Sequence, residues 1–382
     1  MKRSFIFVAV FLLLCCFDAS VSADNDKQEY YQLIDEQYDL LKIDKLNSNL
    51  PSGTKDDLQK IGIDSLKPSD LQKFSINTFF EYLFTKIFDI IRKPIFSFAS
   101  CFAIILMCAL FDGMKTTVSN TSFNGILSVI TSICICGVII MPIIECMSSI
   151  SQVIKTFGNF MLCFVPIFSG VIAVSGGAVS SIGYSATIFS LAQILSFFIV
   201  DILLPAMGIF LALSVTGCFN EDVNISGIIS SIKKVVIFIL SLLVTLFVGL
   251  FTLQNSIAVS TDGMGLKTAK FLSSSFIPIV GGALGDALSS VLSCLLLIKS
   301  SVGGFGIIVC IITLLPPILT VIFFIFGISL IEGFAHILNI SIISNMMVAI
   351  KDCFLILFAF LICYGILIIS TTSLMITMSA AG

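Results

Sequence analysis

Charge is what this chain lacks most. Of its 382 residues, only 11% are Asp, Glu, Lys or Arg, against 57% hydrophobic, and its mean hydropathy is +1.12. A water-facing domain carries about 25% charged residues. This chain therefore cannot coat its apolar mass with a hydrated surface, which excludes an ordinary soluble enzyme, a nucleic-acid binder and a disordered protein. There is a single histidine, His336. No P-loop, zinc motif, dinucleotide fingerprint, CxxC pair or Cys/His cluster of metal-ligand spacing occurs. The sequence calls for no metal and no cofactor, and any energy input has to come from a partner or an ion gradient. The formal net charge of −3 is too small to argue for a charged partner, nucleic acid included.

What remains is an all-α, polytopic helical membrane protein with a short helical extracytoplasmic segment at its N-terminal end. The charges divide the chain. Residues 24–93 hold 13 acidic and 10 basic residues, whereas 94–382 hold only 9 and 8. The first 23 residues read as a signal peptide, or as an uncleaved anchor. Lys2 and Arg3 precede the apolar run Phe5–Leu14, and Val21-Ser22-Ala23 supplies the small residues a signal peptidase needs. Residues 24–75 read as a charged extracytoplasmic segment of short helices, with helix starts near Thr54 and Ser69. None of the thirteen cysteines falls between 24 and 93, so no disulfide framework supports it. The cysteines of the body read as small membrane-core residues.

Residues 76–93 place Ile76, Phe79, Phe80, Leu83, Phe84, Ile87 and Ile90 at three- and four-residue steps, with Glu81, Lys86, Asp89 and Arg92 on the other face. This is the pattern of an interfacial amphipathic helix, or of a helix packing its apolar face on the same protein. Pro94 is expected to end it. The body, 94–382, reads as about eight spans, near 95–111, 126–144, 157–175, 186–219, 235–253, 276–298, 302–327 and 353–377. The stretch 186–219 exceeds one straight crossing, and Pro205 with Asp201 is expected to kink or divide it. The span at 276–298, with Pro278, Gly281, Gly282 and Asp286, reads as broken or re-entrant. Loop lysines, Lys155 and Lys299 among them, divide equally between the two sides for either topology, so the positive-inside rule leaves the C-terminal side open.

Ionisable groups inside a bilayer are costly, about 2.5–3.5 kcal/mol each on insertion scales, so Asp201, Asp286 and, after them, Glu145 are candidate functional positions; the plainer reading puts them at wet span ends. Glu332 and His336 share a helical face with Asn339, in an interfacial helix or one lining a polar cavity. Lys267 and Lys270 flank a glycine-rich turn, where they would meet a lipid phosphate or an acidic partner, or serve as ordinary membrane-edge lysines. Catalytic readings fit poorly. An intramembrane aspartyl protease needs Gly-x-Gly-Asp and Tyr-Asp, but Asp286 lacks the leading glycine and Asp201 follows Val200. A Ser/His dyad would join Ser169 to His336, but Ser169 lacks the Gly-x-Ser-Gly context. Glycines at Gly176-Gly177, Gly281-Gly282 and Gly303-Gly304 point to close helix packing, or to the broken helices of a secondary transporter. A stand-alone transporter using the intramembrane acidic residues is the alternative function.

The stretch Asp262-Gly263-Met264-Gly265-Leu266-Lys267-Thr268-Ala269-Lys270-Phe271-Leu272, continuing through Phe276-Ile277-Pro278-Ile279-Val280-Gly281-Gly282 to Asp286-Ala287, Leu295-Leu296-Leu297-Ile298-Lys299 and Gly303-Gly304, resembles the stage III sporulation protein AE family of endospore-forming bacteria. The resemblance implies a non-enzymatic, multi-pass subunit of a sporulation-specific, secretion-like channel between mother cell and forespore. It implies a place in the mother-cell-derived membrane around the forespore. It also implies partners: sister proteins of the same operon, an ATPase among them, and a forespore membrane protein. It carries over no catalytic residue.

Overall fold

The computed structural model describes residues 46, 50–51, 53–63, 76–114, 121–219, 226–276, 281–338 and 340–378. The expected signal peptide, the segment up to residue 45 and the helix start near Ser69 lie outside the described residues. Those described form α-helices, with no strand among them: α1 (Thr54–Lys60), α2 (Ile76–Met114), α3 (Thr121–Val174), α4 (Ala178–Phe197), α5 (Leu204–Phe219), α6 (Ser226–Phe276), α7 (Gly281–Ile337) and α8 (Ser341–Met378). Among the described residues, six helical stretches are long and apolar enough to cross a membrane. The all-α membrane class read from the composition is thus the fold observed.

Among the described residues, two polar stretches expected as loops are helix faces, so four of the expected spans fall on two long helices. Residues 145–156 were expected to separate two crossings, yet α3 runs unbroken through them. Ile143, Cys146, Ile150, Ile154 and Phe157 point into the core there, while Glu145, Ser148, Ser149, Gln152 and Lys155 lie outward. The inward set recurs at three and four residues, so the polar residues between fall on one outer stripe. Similarly, the spans near 276–298 and 302–327 lie on α7 from Gly281 onward; residues 277–280, Pro278 included, are outside the described residues. Lys299, expected in a loop, is inside α7 and only 2% exposed. At 54 and 57 residues, α3 and α7 are about 81 and 85 Å long, against a hydrocarbon core of about 30 Å.

Prolines shape these helices without ending them. Pro94 lies within α2, Pro142 and Pro166 within α3, and Pro316 and Pro317 within α7. The expected break at Pro94 is absent, since tertiary packing holds α2 together across one missing N–H; Pro94 and Cys101 are both buried. At 186–219 a π-helical turn, Phe198–Leu203, joins α4 to α5. Its Leu204 N–H bonds to the Ile199 carbonyl, five residues back. That wider turn relieves the clash Pro205 would make with the Asp201 carbonyl in an α-helix. The stretch is therefore one continuous helix rather than two half-spans.

Packing centres on α7 and α8, a helical hairpin whose arms end at Ile337 and begin again at Ser341. The helix α3 lies against α4 and α7. A column of phenylalanines runs down its inner face, with Phe160 and Phe164 stacked at 5.6 Å and Phe164 and Phe168 at 5.4 Å between ring centroids. Phe157 meets Tyr364 at 6.0 Å, and Phe168 meets Tyr184 at 5.1 Å. Glycines on α7 let the helices close onto this column. A Cβ on Gly303 would meet Ile376 Cγ1 at 2.5 Å, one on Gly306 would enter the Phe164 ring, and one on Gly327 would enter the Phe98 ring of α2. The packing role expected of Gly303 holds.

The short helix α1 is docked on this body. It starts at Thr54, as its sequence suggested, and ends in a Schellman motif at Gly62 (φ 87°). There Ile63 N–H bonds Leu58 O, and Gly62 N–H bonds Gln59 O, each at 3.0 Å. Leu58, Ile61 and Ile63 are buried. The Thr54 hydroxyl does not cap its helix; it meets the Thr313 hydroxyl of α7 at 3.1 Å. Pro316 and Pro317 remove the N–H groups that the carbonyls of Ile312 and Thr313 would otherwise accept, so α1 meets α7 at its least regular stretch. Thr313→Val should cost about 1–3 kcal/mol by leaving Thr54 unsatisfied, while Thr54→Val with Thr313→Val should cost less than the single change. Thermal midpoints in detergent would check this. A double variant no more stable than Thr313→Val would refute the pairing.

Candidate functional site

The polar groups of the body gather where α6, α7 and α8 come together near the hairpin turn. Glu332 on the last turns of α7 is ion-paired with Lys351 on α8. The neighbouring Asp352 accepts a bond from Lys233 Nζ of α6 at 2.6 Å. Two adjacent residues of α8 thus reach opposite ways and tie the hairpin to two helices. All four side chains are partly buried, 18–35% exposed, so each pair works between a polar edge and an apolar body. A carboxylate and an ammonium held together in this way cost less to place at depth than either alone.

Of the positions singled out from sequence, Glu332 is in this cluster and His336 is beside it on α7 but exposed. Glu332 pairs with Lys351 rather than with the histidine. Asp201 is exposed, on the π-helical turn between α4 and α5 rather than at the end of the helical stretch where the plainer reading put it. Its neighbour Ile202 borders an apolar groove between α5 and α6, also lined by Ala206, Gly227, Ile228, Val235 and Ile239. Lys267 and Lys270 fall on α6, so the expected glycine-rich turn is helical; their side chains, like that of Asp286 on α7, lie outside the described residues. Ser169 bonds Ser181 across the α3–α4 pair at 2.8 Å between hydroxyl oxygens. It sits near Gly303, about 50 Å along α7 from His336, so the structure does not assemble a Ser/His dyad.

Sequence reasoning missed three features. Lys233 and Asp352 are 119 residues apart, and nothing local in either sequence names the other. Lys299 carries the lysine signature of a loop but is buried in a helix. Near it, Ser175 Oγ donates to the carbonyls of Val171 at 2.7 Å and Leu295 at 3.3 Å, closing the α3–α4 turn onto α7. The third is the ion pair between Asp57 of α1 and Lys86 of α2, at 2.9 Å, with Lys86 Nζ 5.8 Å above the Tyr82 ring. Only the helical periodicity of residues 76–91 hinted at it, by putting Lys86 off the apolar face. Among the described residues, no group of three or more His, Cys, Asp or Glu lies together.

Comparison with known proteins gives two matches. A family model described as stage III sporulation protein AE matches residues 63–379. The stage III sporulation protein AE of Bacillus subtilis (strain 168) is 32% identical over 163 residues, which cover 42% of this chain and 41% of that protein. The aligned stretch thus spans about two-fifths of the relative. No solved structure matches.

Proposed function

The chain belongs to the stage III sporulation protein AE family, and we propose that it serves as a non-enzymatic multi-pass subunit of a sporulation-specific, secretion-like channel between mother cell and forespore. The family and the apolar helices make it a membrane protein of sporulation; the channel, its partners and its place around the forespore are the proposal. The observation carrying it is how the body uses its charges. Glu332, Lys351, Lys233 and Asp352 are engaged with one another across three helices, as suits a scaffold whose polar groups fix helix positions. The partners would be sister proteins of the same operon, with an ATPase among them supplying energy, and a forespore membrane protein.

Purification of this chain at native levels from sporulating cells tests the reading. Recovery together with sister proteins is expected. Recovery alone, from cells that contain those proteins, would refute it.

A further inference from the structure

We propose that the flank formed by α1, the charged side of α2 and the outer stripe of α3 is the wetted wall of a passage through the apolar body; the inference rests on the channel reading above. Four contacts fix the height of this flank. Thr54 of α1 meets Thr313, and Thr313 is near the middle of the candidate span Leu295–Ile337. Leu314, the next residue, lies 3.0 Å from where a Cβ on Gly365 would stand. Tyr364, beside that glycine, contacts Phe157 of α3 and lies 3.4 Å from the Ser196 hydroxyl of α4. Thr313, Tyr364, Phe157 and Ser196 therefore share one level, well inside the spans of α3, α4, α7 and α8.

Around that level the perimeter has two characters. On one side Ile194 is 42% exposed, Phe197 54% and Ile366 40%, a mainly apolar surface on which Asp201, four residues beyond Phe197, is also exposed. On the other side α1 exposes Lys55, Asp56, Gln59 and Lys60, and α3 exposes Gln152, Lys155 and Asn159. The helix α2 marks the border. Phe80, Phe84 and Phe88 are exposed on one edge of its outer face, and Glu81, Asp89 and Arg92 follow around the helix toward the edge where Lys86 holds Asp57. Lys155 is close to the middle of the candidate span Ile133–Val174, and the charges Glu81, Lys86 and Asp89 lie on the N-terminal part of Asn77–Met107, level with α1 through the Lys86–Asp57 pair. From mid-span a lysine cannot reach a headgroup by extending its stem. Ionised side chains at that depth face water or protein, since hydrocarbon gives them no hydration. Polar residues on all three adjoining elements, at one height and on one side, make water the common environment.

Single cysteines in a cysteine-depleted chain test this in sporulating cells that contain the full complex. Glu81→Cys, Gln152→Cys and Asn159→Cys are expected to react with a charged, membrane-impermeant methanethiosulfonate at least tenfold faster than Phe84→Cys and Ile194→Cys. Where a variant fails to accumulate, Asp89→Cys or Ser148→Cys takes its place. Equal rates on the two sides would overturn the proposal. So would protection of the polar side that disappears when the sister proteins are absent, because a protein partner would then cover it. A nitroxide at position 84 supplies a second readout. Collision with oxygen well below the headgroups is expected, and a headgroup depth would mean that α2 lies along the membrane surface, overturning the proposal. These outcomes are independent of co-purification, which alone decides the channel reading.

Discussion

Gly306→Ala should destabilise the folded protein by about 1–3 kcal/mol, while Gly304→Ala, two residues earlier on the same helix, should be neutral or stabilising. Alanine is favoured over glycine inside a helix by up to about 1 kcal/mol, so intrinsic propensity pushes both changes the same way. Their surroundings differ. A Cβ at Gly304 meets nothing within 4 Å, whereas one at Gly306 enters the Phe164 ring. That ring is fully buried and stacked between Phe160 and Phe168, so it has no free direction in which to retreat. Overpacking of this kind typically costs about 1–3 kcal/mol; a valine at 306 should cost more and reduce accumulation in the membrane. Size-exclusion profiles after heating in detergent would measure the difference. Phe164→Leu should recover part of the loss in the Gly306→Ala chain and none in the Gly304→Ala chain, a coupling expected only of residues in contact. If the two glycine variants melt together, α7 does not approach α3 as closely as described.

Glu332→Ala is the second large effect, expected at about 1–3 kcal/mol, because it leaves Lys351 without its counter-charge in a partly buried position. A fully buried ion pair broken on one side costs about 3–5 kcal/mol; side-chain exposures of 24% and 18% argue for less. Glu332→Ala with Lys351→Ala should cost less than the two singles added, and exchanging the residues, Glu332→Lys with Lys351→Glu, should restore most of the stability. The more exposed pair, Lys233 and Asp352 at 35% and 31%, should show the same pattern at under about 1 kcal/mol. Thermal midpoints of all variants in one detergent would decide. A Glu332→Ala chain as stable as the parent would remove the cluster as a tie between α7 and α8.

Much of this architecture is legible in the chain. The amphipathic pattern of residues 76–91 reappears in α2, and the helix start at Thr54 in α1. Glycine at 303 is where two helices meet. Misreadings followed from treating polarity as position along the membrane normal. Glu145 to Lys155 looked like a loop between two crossings, yet their three- and four-residue spacing is that of one face of α3. Lys299 looked like an edge residue because lysine is costly in hydrocarbon; protein around it, rather than water beyond the membrane, is what surrounds it. Asp201 was expected at a wet span end or inside the bilayer; the π-helical turn that accommodates Pro205 instead holds it outward in the middle of a continuous helix.

By itself the sequence determined the solvent: with so few charges over so much apolar mass, only a bilayer-embedded helical body satisfies both the side chains and the backbone hydrogen bonds. The family resemblance was carried by a particular stretch, Asp262 to Gly304, and not by composition. Tertiary structure alone decided which charges meet, that α1 docks on α7, and which side of the body is polar. Those facts depend on pairings such as Thr54 with Thr313 and Lys233 with Asp352, separated by 259 and 119 residues. Helical periodicity reaches only a few turns, so it tells each helix which face to bury and leaves open what that face will meet.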